Sequence, residues 1–450
     1  MLATFVPRYP RLAEKLSALV SYPTVSSYTP ADEDETAFSA LKAALPTLFP
    51  SIHSTISREE PSDRALLYTW LGKEPDSPPV ILCAHFDVVP PGDPEKWKRG
   101  AFSGDIAEGC IWGRGTQDIK VLLASMLEAA DTLAAAGFRP RRTVYFAFGG
   151  DEETGGSRGA AAIALRLKAK GVQASFLLDE GGPIAIRLIG FAQRPLALVG
   201  VAEKGYLDLT LSAPGTGGHA SMPPRRTAPG ALARAICAIE SHPSPARFTK
   251  TVRSFVSSLA KEASQPYRFL LSNLWLFAPV LKAAFGSSPT TDALIRTTRA
   301  CTMLQASPKE NVLADCAEAT VNMRILPGES VEEAVHAISS LVERFGVTAS
   351  AKHPGHEVEP SEESSTEGEG WKLVCSALAA SHPEAACLPF LFSAGTDTKH
   401  YRGLVRDTYR FTCLPQDGED LKGVHGENER LRLEDLDRCA LFYENLIRSL

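Results

Sequence analysis

Up to about residue 200, short apolar runs alternate with stretches of helical periodicity. "PPVILCAHFDVV" is an apolar run that ends in polar residues, and "RTVYFAF" is short and rich in β-branched and aromatic residues, so both read as strands. Between them "VLLASMLEAADTLAAAG", Val121 to Gly137, repeats its apolar positions at helical spacing and closes on a glycine. "GSRGAAAIALRLKAKG" is helical again, and "ASFLLDEGG" returns to a short apolar run. This alternation predicts an α/β fold built on a mostly parallel sheet with helices on both faces.

Near Gly200 the pattern changes. "EKGYLDLTLSA" alternates like a half-exposed strand, "TAPGALARAICAIESH" is helical, "NVLADCAEATVNMRILPG" reads as two antiparallel strands, and "SVEEAVHAISSLVERFG" as an amphipathic helix. Strands segregated from helices predict a smaller α+β domain inserted at 202–355, between two parts of the larger domain at 1–201 and 356–450. Inside the insert, "FLLSNLWLFAPVLKAAFG" (Phe269 to Gly286) is the most apolar window. It is short for a membrane span and carries Ser272, Asn273, Pro279 and Lys282, so a buried helix pair or a hydrophobic contact surface is expected. "HPGHEVEPSEESSTEGEG" is polar and reads as a surface connection. The closing "LEDLDRCALFYENLIRSL" places Leu433, Leu436, Ala440, Tyr443, Ile447 and Leu450 on one helical face.

Composition narrows this picture. A chain of 450 residues exceeds one ordinary core, and 44% hydrophobic with 22% charged residues is globular. A net charge of -6 argues against a general nucleic-acid binder. The nine cysteines are odd in number, scattered and free of CxxC pairs, so they predict neither a disulfide framework nor a cysteine zinc site, and a reducing cytoplasm is the expected setting. The opening "MLATFVPRYPRLAEKLSALV" lacks the basic start and continuous apolar core of a signal peptide.

Chemistry concentrates where the predicted strands end, which is where open parallel sheets bind ligands. His85 and Asp87 close the first run, Asp151, Glu152 and Glu153 follow "TVYFAF" in "GGDEETGG", and Asp179 and Glu180 follow "SFLL". Asp118 in "GRGTQDIK" stands at the start of the next helix. Any one of these has an ordinary reading as a cap, a core histidine or a solvated turn. Together they put an excess of negative charge at one end of a sheet, which a divalent cation would relieve. Imidazole with carboxylates suits zinc, with manganese or cobalt as substitutes. His85 and Asp87, two apart on a strand, face the same side, so Asp87 could accept the second imidazole N–H.

"AHFDVVP", "WGRGTQDIK", "GGDEETGG", "LLDEGG", "GTGGHAS", "VNMRILPG" and "GVHGENE" occur in this order over nearly the whole chain. In that order they resemble the di-zinc metallopeptidases that include aminoacylase, carboxypeptidase S and succinyl-diaminopimelate desuccinylase. The long insert after His219 and "SAGTDTKHYR" resemble the branch of carboxypeptidase S and the N-fatty-acyl-amino-acid synthase/hydrolase.

The resemblance implies two divalent metal ions and a ferredoxin-like inserted domain that serves as lid or dimerisation domain. It implies that His85 and Asp179 hold one metal, Glu153 and His425 the other, and that Asp118 bridges them. The residues leave Asp179 and Glu180 open as alternatives, and the resemblance favours Asp179. Glu152 would be the general base, Asp87 would support His85, and His219 would help polarise the substrate carbonyl, often from a partner subunit. Arg324 and Asn311 would grip a substrate carboxylate, and the backbone at Gly395 would touch substrate. The peptide bond after the bridging aspartate is commonly cis in such proteins. The implied activity is hydrolysis of the amide bond of small N-acyl amino acids or dipeptides with a free carboxylate. A non-catalytic, metal-stabilised binding protein of the same fold is the alternative reading. A homodimer follows if His219 acts across subunits; a long insert covering that surface would instead leave a monomer. No nucleic-acid partner and no membrane span are expected.

Overall fold

The computed structural model describes residues 6–450, so the first residues of "MLATFVPRYP" lie outside the described part. Eight strands form the large sheet, in the order Ser57–Glu59, Ala65–Trp70, Val144–Gly149, Val80–His85, Ala174–Ala185, Val405–Gln416, Leu196–Glu203, Ala386–Phe392. Val80–His85 runs parallel to both Val144–Gly149 and Ala174–Ala185, and Ala174–Ala185 runs parallel to Val405–Gln416. The strands carrying the first acidic motifs are therefore neighbours, and their carboxyl ends open on one edge of the sheet. Val80–His85 and Val144–Gly149 are buried along their whole length, which explains why they read as continuous apolar runs rather than as an alternation.

Helices cover both faces. The helix Lys120–Ala135 and the C-terminal helix Leu433–Ser449 pack together on one face, in a core that includes Leu127, Phe146, Phe148, Tyr443 and Ile447. The helix Ala160–Ala169 covers the other, with Ile163 and Leu167 against Ile81 and Leu177. The α/β class with a mostly parallel sheet is thus the observed architecture.

A second, four-stranded antiparallel sheet has the order Thr298–Gln305, Cys316–Ile325, Gly205–Pro214, Thr348–Ala351. Leu207, Leu209 and Leu211 point from it towards Leu232, Ile239, Ile338 and Val342 of the helices Ala228–Ser241 and Val331–Val342. A capping box between Ser330 and Glu333 starts the second helix. The two strands expected in "NVLADCAEATVNMRILPG" do not pair with each other. Cys316–Ile325 lies between Thr298–Gln305 and Gly205–Pro214, while Val312–Leu313 pairs with Gly218–His219. The two residues Ala314 and Asp315 join the strands without folding them into a hairpin, and longer partners elsewhere offer more ladder bonds.

The segment 250–295 also departs from expectation. Its helices Lys250–Glu262, Tyr267–Ser272, Leu274–Phe285 and Pro289–Ile295 do not share the core of the small sheet. Val252, Phe255, Leu259 and Leu281 instead pack with Leu196, Leu198, Leu388 and Leu391 of the large sheet's edge. Among the described residues no helix is long and apolar enough to cross a membrane.

His382, just past the helix Glu369–Ser381, is fully buried, and its Nε2 has no hydrogen-bond partner among the described residues. Burial, with Arg438 nearby, lowers its pKa to about 3. The unfolded chain, with an ordinary imidazole, binds more protons than the fold between about pH 3 and the usual value near 6.5. Stability from this site is therefore present above about pH 6.5 and lost as the pH falls towards 3. Calorimetric melting between pH 4 and pH 7 should show Tm rising with pH, with a shallower rise in His382→Leu. Equal slopes for the two proteins would remove His382 from the acid response.

Candidate metal centre and active site

His85 ends its strand with the imidazole 2% exposed. Its Nδ1 lies 3.1 Å from the Asp87 carbonyl oxygen and 3.3 Å from Asp87 Oδ1, so the ring is held from behind. Its Nε2 points to Asp118 Oδ1 at 3.2 Å and to Glu180 Oε1 at 3.7 Å. Asp118 Oδ2 in turn lies 2.9 Å from His425 Nε2, which is 3.1 Å from Glu153 Oε1. One carboxylate therefore sits between two imidazoles, presenting one oxygen to each. The Asp118–Ile119 peptide bond is cis.

Two sets of side chains bring donor atoms within 4.8 Å of one another: His85, Glu152 and Glu180, and His85, Asp118 and Glu153. Among the described residues, the only ion-pair partners of Asp118, Glu153 and Glu180 are these imidazoles. The charge balance shows in the protonation of the groups. Burial pushes Glu180 up to about 8 and Glu152 well above the carboxylate range, each also facing neighbouring acids. Burial disfavours charge on His85, but Glu180, Asp118 and Asp87 outweigh it and raise its pKa. Bonds to Asp118 and Glu153 raise His425 to about 10. Imidazole nitrogens and carboxylate oxygens converging at this spacing are the donor set of a divalent metal. The residues present fit such ions.

Asp87 is fully buried and does more than orient a ring. Its Oδ1 accepts from the Glu152 amide and its Oδ2 from the Glu153 amide, both at 3.1 Å, and Ser26 Oγ donates to Oδ2 at 2.7 Å. The turn with the two glutamates is thus fastened to the same carboxylate that backs His85. Asp151, the third acid of "GGDEETGG", faces away: its oxygens accept from the amides of Arg158 at 2.7 Å and Gly159 at 2.8 Å, tying the turn to the following helix.

Asp179 is buried, with Oδ1 accepting from the Glu180 amide at 2.8 Å and Oδ2 without a partner among the described residues. Of the two acids in "LLDEGG" it is Glu180, not the favoured Asp179, whose carboxylate reaches the His85 ring. Adjacent residues leave a strand on opposite faces, so one motif cannot aim both acids at one ring.

The remaining expected residues fall in two other places. Arg324, on Cys316–Ile325, stacks over the Tyr206 ring at 4.7 Å. A Cβ added at Gly395 would lie 4.0 Å from the Arg324 guanidinium and 3.8 Å from Glu203, so residues of the two different sheets adjoin here. His219 is exposed on its short strand, bonded through Nδ1 to Ser221 Oγ at 2.7 Å. The Asn311 carbonyl accepts from the Ala220 amide at 3.1 Å, which places Asn311 beside His219 and in none of the carboxylate bonds.

Glu429 carries no metal-like spacing in the sequence and was missed there. It is fully buried, and its Oε1 accepts from the amides of Gly115, Gln117 and Asp118 at 3.0, 2.7 and 3.3 Å. Its Oε2 takes Arg114 at 2.7 Å, and Arg114 donates on to the His425 carbonyl at 3.2 Å. The clue was the acid at the end of "GVHGENE" and the arginine in "WGRGTQ", but a spacing of 315 residues hides the pair.

With the fold and this centre in place, the chain is a metallopeptidase-type hydrolase acting on linear amides. It belongs to peptidase family M20/M25/M40, whose family model matches residues 81–449. It is 36% identical to the probable carboxypeptidase S-like 2 of Dictyostelium discoideum, over 97% of this chain and 85% of that protein. It is 35% identical to the mouse N-fatty-acyl-amino acid synthase/hydrolase PM20D1, over 97% of this chain and 87% of that one. The fold matches the M20 family metallo-carboxypeptidase Sso-CP2 from Sulfolobus solfataricus with a TM-score of 0.71 at 16% identity, over 97% and 98% of the two chains.

Because Asp87 fixes both His85 and the glutamate turn, Asp87→Asn, which sets an amide NH2 against a backbone N–H, should lower Tm and lose about 10- to 100-fold in metal affinity or turnover. Competition with a chelating dye, beside far-ultraviolet circular dichroism, measures both. Unchanged affinity and turnover would show that the backing carboxylate is dispensable.

Proposed function

We propose that this chain hydrolyses the amide bond of N-acyl amino acids or small peptides that carry a free carboxylate, using two divalent cations, zinc in the first instance. The observation that carries the reading is Asp118, which offers one oxygen to the side of His85 and the other to the side of His425, with Glu152 close by and paired to neither imidazole. His85, Asp118 and Glu180 would hold one ion, and Asp118, Glu153 and His425 the other. Bound there, the ions would lower the pKa of a water and polarise the substrate carbonyl.

The chain's own groups supply the rest. Glu152, half-buried and with its pKa raised, is suited to take a proton from water and return it to the leaving amine. Arg324, beside Gly395, is suited to a bidentate hold on the substrate carboxylate. The names of the relatives support this substrate class, one a carboxypeptidase S-like protein and the other acting on N-fatty-acyl amino acids. His219, exposed and outside the centre, fits a donor supplied by a second copy, with Asn311 beside it. The free cysteines support a cytoplasmic setting.

Metal analysis of the purified protein, with a hydrolysis panel varying acyl length and C-terminal residue, tests the reading; a metal-loaded protein inert across the panel would overturn it. Glu152→Gln should keep both metals and lose turnover, whereas Asp118→Ala should lose both metals. Glu180→Gln should halve the metal content and Asp179→Asn should not; the reverse result would return the ligand role to Asp179. If His219 acts across subunits, mixing inactive His219→Ala and Glu152→Gln proteins should restore part of the activity, and a mixture as inactive as its components would place His219 in its own subunit's chemistry.

A further inference from the structure

The helix Leu274–Phe285 is apolar on both sides. Phe277, Ala278, Leu281 and Phe285 pack into the core at the edge of the large sheet. The opposite face presents Trp275, Leu276, Pro279, Val280, Ala283 and Ala284 to solvent, a continuous stripe at i, i+1, i+4, i+5, i+8 and i+9 without a polar residue. Trp275 is 80% exposed, Val280 60% and Leu276 53%. Phe269 and Tyr267, on the preceding short helix, extend the patch. A helix hydrophobic all round is ordinarily covered, and contiguous exposed apolar surface marks an interaction site.

Charge says what covers it. The chain as a whole is acidic, at -6, yet from Ser241 to Thr291 it carries Arg247, Lys250, Arg253, Lys261, Arg268 and Lys282 against a single acid, Glu262. Glu262 is paired with Arg194 at 2.7 Å. Arg253, Lys261, Arg268 and Lys282 have no carboxylate partner among the described residues. A groove of about 680 Å³ is lined by Arg253, Lys261 and Arg268 together with Leu271, Leu274 and Trp275, so cations and apolar side chains share one opening. A second copy of this acidic chain would meet the basic patch with no acidic stripe of its own at the same face. An apolar stripe with an exposed tryptophan and a basic surround matches the two layers of a lipid surface, acyl chains and anionic headgroups.

We propose that this face docks the protein peripherally onto an anionic phospholipid surface. The proposal does not depend on the reaction assigned above. Sucrose-loaded vesicles of phosphatidylcholine with phosphatidylglycerol should pellet the full chain, and vesicles of phosphatidylcholine alone should pellet far less. Raised salt should weaken the binding. Arg253→Gln, Lys261→Gln and Arg268→Gln should each lower the partition coefficient about fivefold. Trp275→Ser combined with Val280→Ser should abolish binding, while far-ultraviolet circular dichroism and Tm stay at their wild-type values and show that the variant is folded. No pelleting, or equal pelleting with neutral and anionic vesicles, would overturn the proposal. So would a dimer in analytical ultracentrifugation that Trp275→Ser dissociates, since the face would then belong to a second copy.

Discussion

The centre rests on the Asp87 carboxylate, which is fully buried and is satisfied by protein groups. Its oxygens take the Glu152 and Glu153 amides and the Ser26 hydroxyl, and the same residue backs the His85 ring. An unmade bond to a buried carboxylate is costly, so these groups are locked to each other rather than merely adjacent. Two adjacent strand ends become one unit, with His85 on one and the glutamate pair on the other. Holding two further carboxylates, Asp118 and Glu180, against that unit then costs electrostatic energy that imidazolium alone relieves only in part, in keeping with the raised pKa of Glu180 and Glu152. A bound cation would offset the negative charge gathered there.

A second buried carboxylate ties the far end of the chain to this unit. Glu429 collects three amides of the loop that carries Asp118, and through Arg114 reaches the carbonyl of His425. Asp118 and His425, distant in sequence, are thus positioned by one network. The positive φ of His425, at 57°, is a conformation that a non-glycine residue adopts only where its surroundings impose it, and the flanking bonds do so here.

Much of this was legible in the sequence, for a physical reason. Strands buried on both faces give apolar runs, and a run that stops at His85 or at "GGDEETGG" marks the sheet edge where ligands bind. Local spacing also told that His85 and Asp87 share a side. Three things were not legible. Which of Asp179 and Glu180 faces His85 depends on the strand's register with its neighbours, since one residue of slip exchanges the faces. Glu429 was hidden because its partners are amides, which have no sequence signature. The pairing of Cys316–Ile325 was misread because competition among distant strands, not the local turn, decides it.

The same limit explains the segment 250–295, which pattern alone assigned to the inserted domain. Its apolar content does not say which core it serves, and it packs on the strands Leu196–Glu203 and Ala386–Phe392 of the large sheet. Those strands lead straight into the two sides of the Arg324 region. Leu196–Glu203 ends at Glu203, whose carboxylate takes the Thr396 amide at 2.9 Å, the Thr396 and Thr398 hydroxyls at 3.1 and 3.0 Å, and Arg410 at 2.6 Å. Gly395 is thereby fixed one residue before the anchored Thr396, with Arg324 across from it on the smaller sheet. Helices that brace these strands therefore stiffen the place where a substrate carboxylate would be gripped, while their outer face is left free of that duty. On one short helix, then, the inner face braces these strands through Phe277, Leu281 and Phe285, while the outer face, with Trp275 and Val280, stays exposed.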